Sequence, residues 1–134
     1  MNTVQARQCY EQYLTHVYIA RDLNRMSDFL SENVVAHPCP PEVPPGLLGV
    51  KAMAQAWLGG FSELGFTIEA FSQEQDHVTA RIVVTGRHTG PFMGLAPTGR
   101  RITFVDSSRL RIENGKIAEV WAETDVPGLM RQIS

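Results

Sequence analysis

Four strand-type segments fill the second half of the chain in close succession: FTIEAFSQEQ from Phe66, HVTARIVVTGRH from His77, RRITFVDSSRLRI from Arg100 and KIAEVWAETD from Lys116. The joints carry strand punctuation, with Gln75-Asp76 at the first and Glu113-Asn114-Gly115 at the last. The second half is therefore committed to an antiparallel sheet, and the first half must cover it.

Ahead of the strands the period is helical. Ala6, Tyr10, Tyr13, Leu14, Val17 and Tyr18 recur at spacings of three and four, which predicts one long amphipathic helix from Thr3 to about Asp22. A second short helix is expected over 23–30, where Met26, Phe29 and Leu30 share a face and the polar SEN suits an exit. NVVAH then reads as a short strand. The five prolines of HPCPPEVPPG exclude regular helix and hold the chain extended as a rigid rim. After Gly49, residues Val50, Met53, Ala54, Trp57 and Leu58 make a third helical stripe, ended by Gly59-Gly60 or by Gly65.

Helices first and sheet second is an α+β order, with three helices packed on one face of a cone-shaped, curved antiparallel sheet. A cone encloses a concave apolar space suited to a small molecule, and its mouth needs closing. HTGPFMGLAPTG, residues 88–99, links two long strands and carries Phe92, Met93 and Leu95 without a charged residue. It is expected to fold over one end as pocket wall.

A length of 134 residues suits a single domain, 1–134. With a formal net charge of −2 and arginines scattered between carboxylates, the chain offers no basic face to nucleic acid or anionic lipid. The start, MNTVQARQCYEQ, lacks the order of a signal peptide and no apolar run approaches membrane-spanning length, so a cytoplasmic location is expected. Cys9 and Cys39 read as small hydrophobes rather than a disulfide. His37 with Cys39, or His16 and His77, make no ligand set, and no metal is expected.

Three blocks, GRHTGPFMGLAPTGRR, RIENGKIAEVW and DVPGLMRQ, follow NVVAHPCPP and GLLGVKAM in a specific order and spacing. With them the chain resembles the SnoaL-like polyketide cyclase and ester cyclase family, of the nuclear transport factor 2-like superfamily, over nearly its whole length. The resemblance implies an enzyme without metal or organic cofactor. A carboxylate removes a proton next to a carbonyl, an apolar cavity folds the substrate, and a ring closes by intramolecular aldol condensation. Burial raises a carboxyl pKa and makes it a better base, and holding the substrate bent adds an orientation term. A homodimer through the outer face of the sheet is also implied. In the family's well-known cyclases the acid/base aspartate directly follows the tryptophan of the last strand, where this chain has Ala122, and its polar partner falls at Ser108. Asp125, four residues after Trp121, keeps a pattern of other members.

Hairpin register decides which side chains face inward. If Glu113-Asn114-Gly115 turns with a glycine bulge, Asp106, Ser108, Leu110 and Ile112 share a face with Ala118, Val120, Ala122 and Thr124. If Asn114-Gly115 alone makes the turn, that face continues through Ile117, Glu119, Trp121, Glu123 and Asp125. The first register is favoured, because Arg109 and Arg111 then pair with Glu119 and Glu123 outside.

Asp106 lines the cavity under either register and heads the catalytic candidates, with His37, where the first strand meets the proline rim, and Asp125. The substrate-binding candidates are Arg81, Tyr13, Trp57, His88, Phe92, Met93, Ser108 and Trp121. A buried Arg81 would need an anion, and Tyr13 and Trp57 offer ring faces from helices. Structural alternatives stand beside them: strand-end bonding for His37, exposure for Asp106 and Arg81, turn stabilisation for His88, core packing for Tyr13 and Trp57. Three functions fit the set. The favoured one is a cofactor-independent cyclase or isomerase of a hydrophobic, oxygenated, polyketide-like molecule. An epoxide hydrolase would need Asp, Arg and His or Tyr clustered in the pocket, and a non-catalytic binding domain would explain Ala122.

Overall fold

The computed structural model describes residues 2–134. Helix α1 (Thr3–Tyr13) opens on a capping box in which the Asn2 side chain accepts the Gln5 amide at 2.8 Å and the Gln5 side chain accepts the Asn2 amide at 3.0 Å. The expected single helix to Asp22 does not continue as an α-helix. At Leu14–Ile19 the backbone widens into a π-helical turn, with the Ala20 amide donating to the Thr15 carbonyl at 2.8 Å. Asp22 then caps a 3-10 helix over Leu23–Asp28, accepting from the Asn24 amide at 3.1 Å. This segment stops short of the expected Leu30, which instead begins strand β1 (Leu30–His37), so SEN lies inside the strand.

The proline segment leads into α2 (Leu47–Gly60) and packs directly on it: a Cβ at Gly49 would stand 1.9 Å from the Pro44 carbonyl oxygen. Only glycine admits that approach. Arg21 closes the other end of α2, its guanidinium donating to the carbonyls of Leu58 and Phe61. The Leu58 carbonyl lies in the last turn and has no helical partner, and a cation suits the helix C-terminus.

Strand β2 (Phe61–Glu74) starts where α2 ends, five residues before the period-2 pattern becomes visible. The reason is a register slip between Ser62 and Gly65, with Glu63 at φ +54°; a second slip lies between Ile68 and Ala70. Such bulges break the alternation and bend the sheet. β3 (His77–His88), β4 (Arg101–Glu113) and β5 (Lys116–Thr124) follow as antiparallel neighbours, and β1 pairs in parallel with β5, giving the order β1-β5-β4-β3-β2.

The last hairpin combines features of both expected registers. Asn114 and Gly115, both at positive φ, form a two-residue turn with Glu113 opposite Lys116. A slip beyond Ile112 and Ile117 then shifts the ladder, so that Leu110, Ser108 and Asp106 face Val120, Ala122 and Thr124. Ile117 and Ala118 are both buried at the bulge. Arg111 pairs with Glu119 on the outer face, as expected, but Arg109 lies over the Trp121 ring at 4.2 Å.

A helix the periodicity did not predict, α3 (Val126–Ile133), ends the chain. Asp125 caps it by accepting the Gly128 amide at 3.0 Å, and Leu129 and Ile133 are buried. No helix among the described residues is long and apolar enough to cross a membrane.

Candidate active site

The sheet floor is built of cross-strand rows. One row is Ile68, Ile82, Asp106 and Thr124; beside it run Phe71, Ala80, Ser108 and Ala122 on one side, and Phe66, Val84 and Phe104 on the other. Asp106 is thus the carboxylate of an otherwise apolar or hydroxylated concave surface. Ser108 donates to its Oδ1 at 2.7 Å and Thr124 to its Oδ2 at 3.1 Å. No cation pairs with it among the described residues. Burial pushes its pKa above the ordinary aspartate value, and the two hydroxyl donors, which favour the charged form, offset only part of that rise. Asp106 and Thr124 nevertheless keep partial exposure.

Three tyrosines of α1 and the π-helical turn stand over this floor. Tyr10 packs on Phe71, and Tyr18 packs edge-on against Phe66 at 5.9 Å. The row of Asp106 therefore lies between the two rows they cover. Burial raises the pKa of Tyr10, Tyr13 and Tyr18, and the Asp106 charge adds to each rise. All three remain protonated donors at neutral pH. Trp57 closes one end of the space, its ring against Phe92 at 4.8 Å, Phe104 at 5.6 Å and Phe61 at 5.8 Å.

The segment 88–99 divides its apolar residues. Phe92 and Leu95 exchange backbone hydrogen bonds across a turn whose tip is Met93-Gly94, both at positive φ. That geometry sends Phe92 inward, 7% exposed, and leaves Met93 65% exposed. Met93 is thus placed outside the pocket wall. His88, fully buried, anchors the segment: its Nδ1 accepts the Thr98 amide at 3.2 Å and lies 3.0 Å from the Thr98 hydroxyl.

The other candidates lie elsewhere. His37 is half-exposed on the outer face, bonded to Glu119 at 2.7 Å and stacked on Trp121 at 5.4 Å. Trp121 shares that outer face, because the interior positions of β5 are Val120, Ala122 and Thr124. Arg81 is not buried in an apolar strand: its side chain is 54% exposed and pairs with Glu69 at 3.1 Å. Alternation along β3 puts Ala80 and Ile82 inside and Arg81 out. Asp125 is exposed and engaged in capping α3. The structure therefore brings Asp106, Ser108, Tyr13 and Trp57 to the concave side and leaves His37, Arg81, Trp121 and Asp125 off it.

Thr124, Tyr10 and Tyr18 belong to the site without having been singled out from sequence. Tyr10 and Tyr18 were legible as a helical stripe, and Thr124 as part of one register. Two surface clefts flank the interior. One of about 280 Å³ follows β1, the proline segment and α2, past Ala36, Cys39 and Met53. The other, about 250 Å³, lies between α1, the π-helical turn and β2, and reaches Ile68, the first residue of the Asp106 row. Asp106 itself lines neither. No group of three or more His, Cys, Asp or Glu among the described residues could hold a metal ion.

A curved sheet closed by helices, with a carboxylate on its floor, defines a cone-shaped α+β protein. A family model described as SnoaL-like polyketide cyclase matches residues 7–133, and the chain belongs to that family. It is 37% identical over 84 residues to the aklanonic acid methyl ester cyclase AcmA of Streptomyces galilaeus, covering 61% of this chain and 58% of the relative. Nogalonic acid methyl ester cyclase of Streptomyces nogalater is 36% identical over 89 residues, covering 63% and 66%. The matched stretches thus span less than two thirds of these curated relatives. The structure of TsrD from Streptomyces laurentii superposes with a TM-score of 0.90 at 28% identity, covering 100% of this chain and 98% of that one.

Proposed function

We propose that the chain is a cofactor-independent cyclase of a hydrophobic, oxygenated polyketide, with Asp106 as its acid-base group. The observation that carries this reading is the position of Asp106: on the concave floor, unpaired with any cation among the described residues, and raised in pKa by burial. A carboxylate so placed takes a proton from the carbon next to a substrate carbonyl, leaving an enolate. The enolate carbon adds to a second carbonyl carbon of the same molecule. One carbon–carbon bond forms, and the resulting alkoxide recovers the proton from the Asp106 carboxylic acid, so the product is an isomer of the substrate. Ser108 and Thr124 orient the carboxylate, and Trp57, Phe92 and Phe104 supply an aromatic wall against which a folded chain can lie.

The names of the relatives suggest the substrates to try, methyl esters of aklanonic and nogalonic acid. Wild-type protein should cyclise at least one, and Asp106→Asn should lower turnover by roughly 10²–10⁴-fold. Equal rates in the two proteins would remove the assignment. The hydrolase alternative is less well supported, because Arg81 and His37 face away from Asp106. A homodimer through the outer face, where Trp121 lies between His37 and Arg109, is part of the same proposal and is tested by solution mass.

A further inference from the structure

We propose that the cleft between α1 and β2 is the outer arm of the substrate site, and that it holds the neutral, apolar end of the polyketide that takes no part in ring closure. This inference rests on the cyclase reading above and adds to it where the rest of the molecule lies.

The row of Asp106 runs across the sheet through Ile82 to Ile68, which lies on the edge strand β2. Neighbouring strands are about 4.8 Å apart, so the row covers about 10 Å from the carboxylate strand to its outer end. There Ile68 and Phe66 are only half-buried, and the cleft opens over both. Tyr10 covers the Phe71 row on one side. Tyr18 covers the Phe66 row on the other, its ring carried by the π-helical turn to meet Tyr13 edge-on at 5.8 Å. Leu14, midway between Tyr10 and Tyr18 in the chain, lines the cleft together with Ile68 and is itself buried. It is the partition between the cleft and the Asp106 row. A leucine side chain turns about two bonds between staggered positions, so the partition yields without moving the backbone.

The chemistry of the cleft selects the kind of group it takes. Ile19 is 48% exposed at its mouth, an apolar side chain that a ligand would cover. Arg7 and Glu11, also at the mouth, pair with each other at 2.9 Å, so the cleft presents no net charge and an anionic group gains little there. A flat, neutral end lying on Ile68 and Phe66 fits better. The cleft along β1 is a poorer continuation of the site. Its concave-face residue Ala36 is opposite Val120, which stands four residues, about 13 Å, along β5 from Thr124. A ring closing at Asp106 therefore sends the remainder of its chain along the shorter route, towards Ile68.

The test blocks each cleft in turn with a removable cap. Thr15 is exposed and lines the α1–β2 cleft, and Cys39 is exposed and lines the other. Benzyl methanethiosulfonate puts a benzylthio group on Cys39 in the Cys9→Ser protein, or on residue 15 in the Cys9→Ser, Cys39→Ser, Thr15→Cys protein, and dithiothreitol takes it off. Binding is measured by calorimetry for danthron, a flat three-ring dihydroxyanthraquinone, and for the two-ring 2-naphthol, which is too short to reach from Asp106 into the cleft. The cap at residue 15 should weaken danthron binding by about tenfold or more and 2-naphthol binding by less than about threefold, with recovery on reduction, as expected when the surface under one ring is covered. The cap at Cys39 should change either by less than about threefold. A danthron loss confined to the Cys39 cap, no loss from either cap, or equal losses for the two probes at residue 15 overturns the proposal. Because binding is read without turnover, a selective block at residue 15 in a protein that cyclises neither methyl ester sinks the cyclase reading alone; methyl ester turnover that the same cap leaves unchanged sinks the cleft assignment alone.

Discussion

Asp106 and Ala122 are diagonal neighbours on the concave face of the β4–β5 ladder: Asp106 is opposite Thr124, and Ala122 is opposite Ser108. Diagonal positions on one face lie within reach of each other's side chains. The carboxylate expected after the last-strand tryptophan is absent, and one stands on the adjacent strand facing the same space. Placing an acid at the vacant position should therefore recover function. In the Asp106→Asn protein, Ala122→Asp should restore at least about tenfold of the lost turnover, as one general base substituting for another. No recovery, with the double variant folded, would show that the chemistry needs the Asp106 position itself.

The same carboxylate should cost stability. Its folded pKa is raised above its unfolded value, so the folded state favours the protonated form. Asp106 is least unfavourable below the ordinary aspartate pKa, and the fold loses stability as pH rises through the elevated folded value. Asp106→Asn removes that ionisation while keeping the shape and one acceptor for the hydroxyls. Melting temperatures should show Asn above Asp at neutral pH, with the gap closing as pH falls. A gap that widens in acid would mean that the hydroxyl bonds, not burial, dominate at Asp106.

The four strands at 66–125 and the α+β order were legible because alternation and turn residues are local signals. What failed was where local backbone departs from a simple period. The π-helical turn at Leu14–Ile19 preserves the apolar stripe while changing which tyrosines meet, and no 3.6-residue count can register that. The bulge at Ile117–Ala118 reconciled a tight Asn114-Gly115 turn with the inward placement of Ala122, two features that a uniform ladder makes exclusive. Helix α3 was hidden by its brevity and by Pro127 and Gly128 in its first turn. Arg81 was misleading because its neighbours Ala80 and Ile82 are core, while alternation alone sends the guanidinium out.

His37 gives a clean contrast with Asp106. It lowers the Glu119 pKa first, with Arg111 adding to the effect. The stabilisation from Glu119 is present above the ordinary glutamate pKa and disappears as pH falls through the depressed folded value. His37→Ala should leave turnover unchanged and move the Glu119 titration upward by NMR. A large loss of turnover without loss of fold would return His37 to the catalytic set.

Asp125 separates capping from chemistry by a conservative pair. Asp125→Ala should destabilise the fold by about 1 kcal/mol, the usual cost of a lost N-cap. Asp125→Asn keeps an acceptor for the Gly128 amide and should retain both stability and turnover. Turnover lost in the Asn variant alone would require a proton-transfer role.

His88 tests whether the apolar segment is held as a wall. Because the Thr98 amide donates to Nδ1, the neutral ring carries its proton on Nε2, which is fully buried and finds no partner among the described residues. His88→Ala deletes the acceptor and opens a cavity beside Phe61, and should cost about 2–4 kcal/mol. His88→Phe keeps the ring volume and removes the unpartnered Nε2–H, and should cost less. If His88 holds Phe92 against Trp57, the Ala variant should also red-shift Trp57 emission in a Trp121→Phe background. Destabilisation without that shift would confine His88 to the end of β3 and leave the position of Phe92 to its own packing.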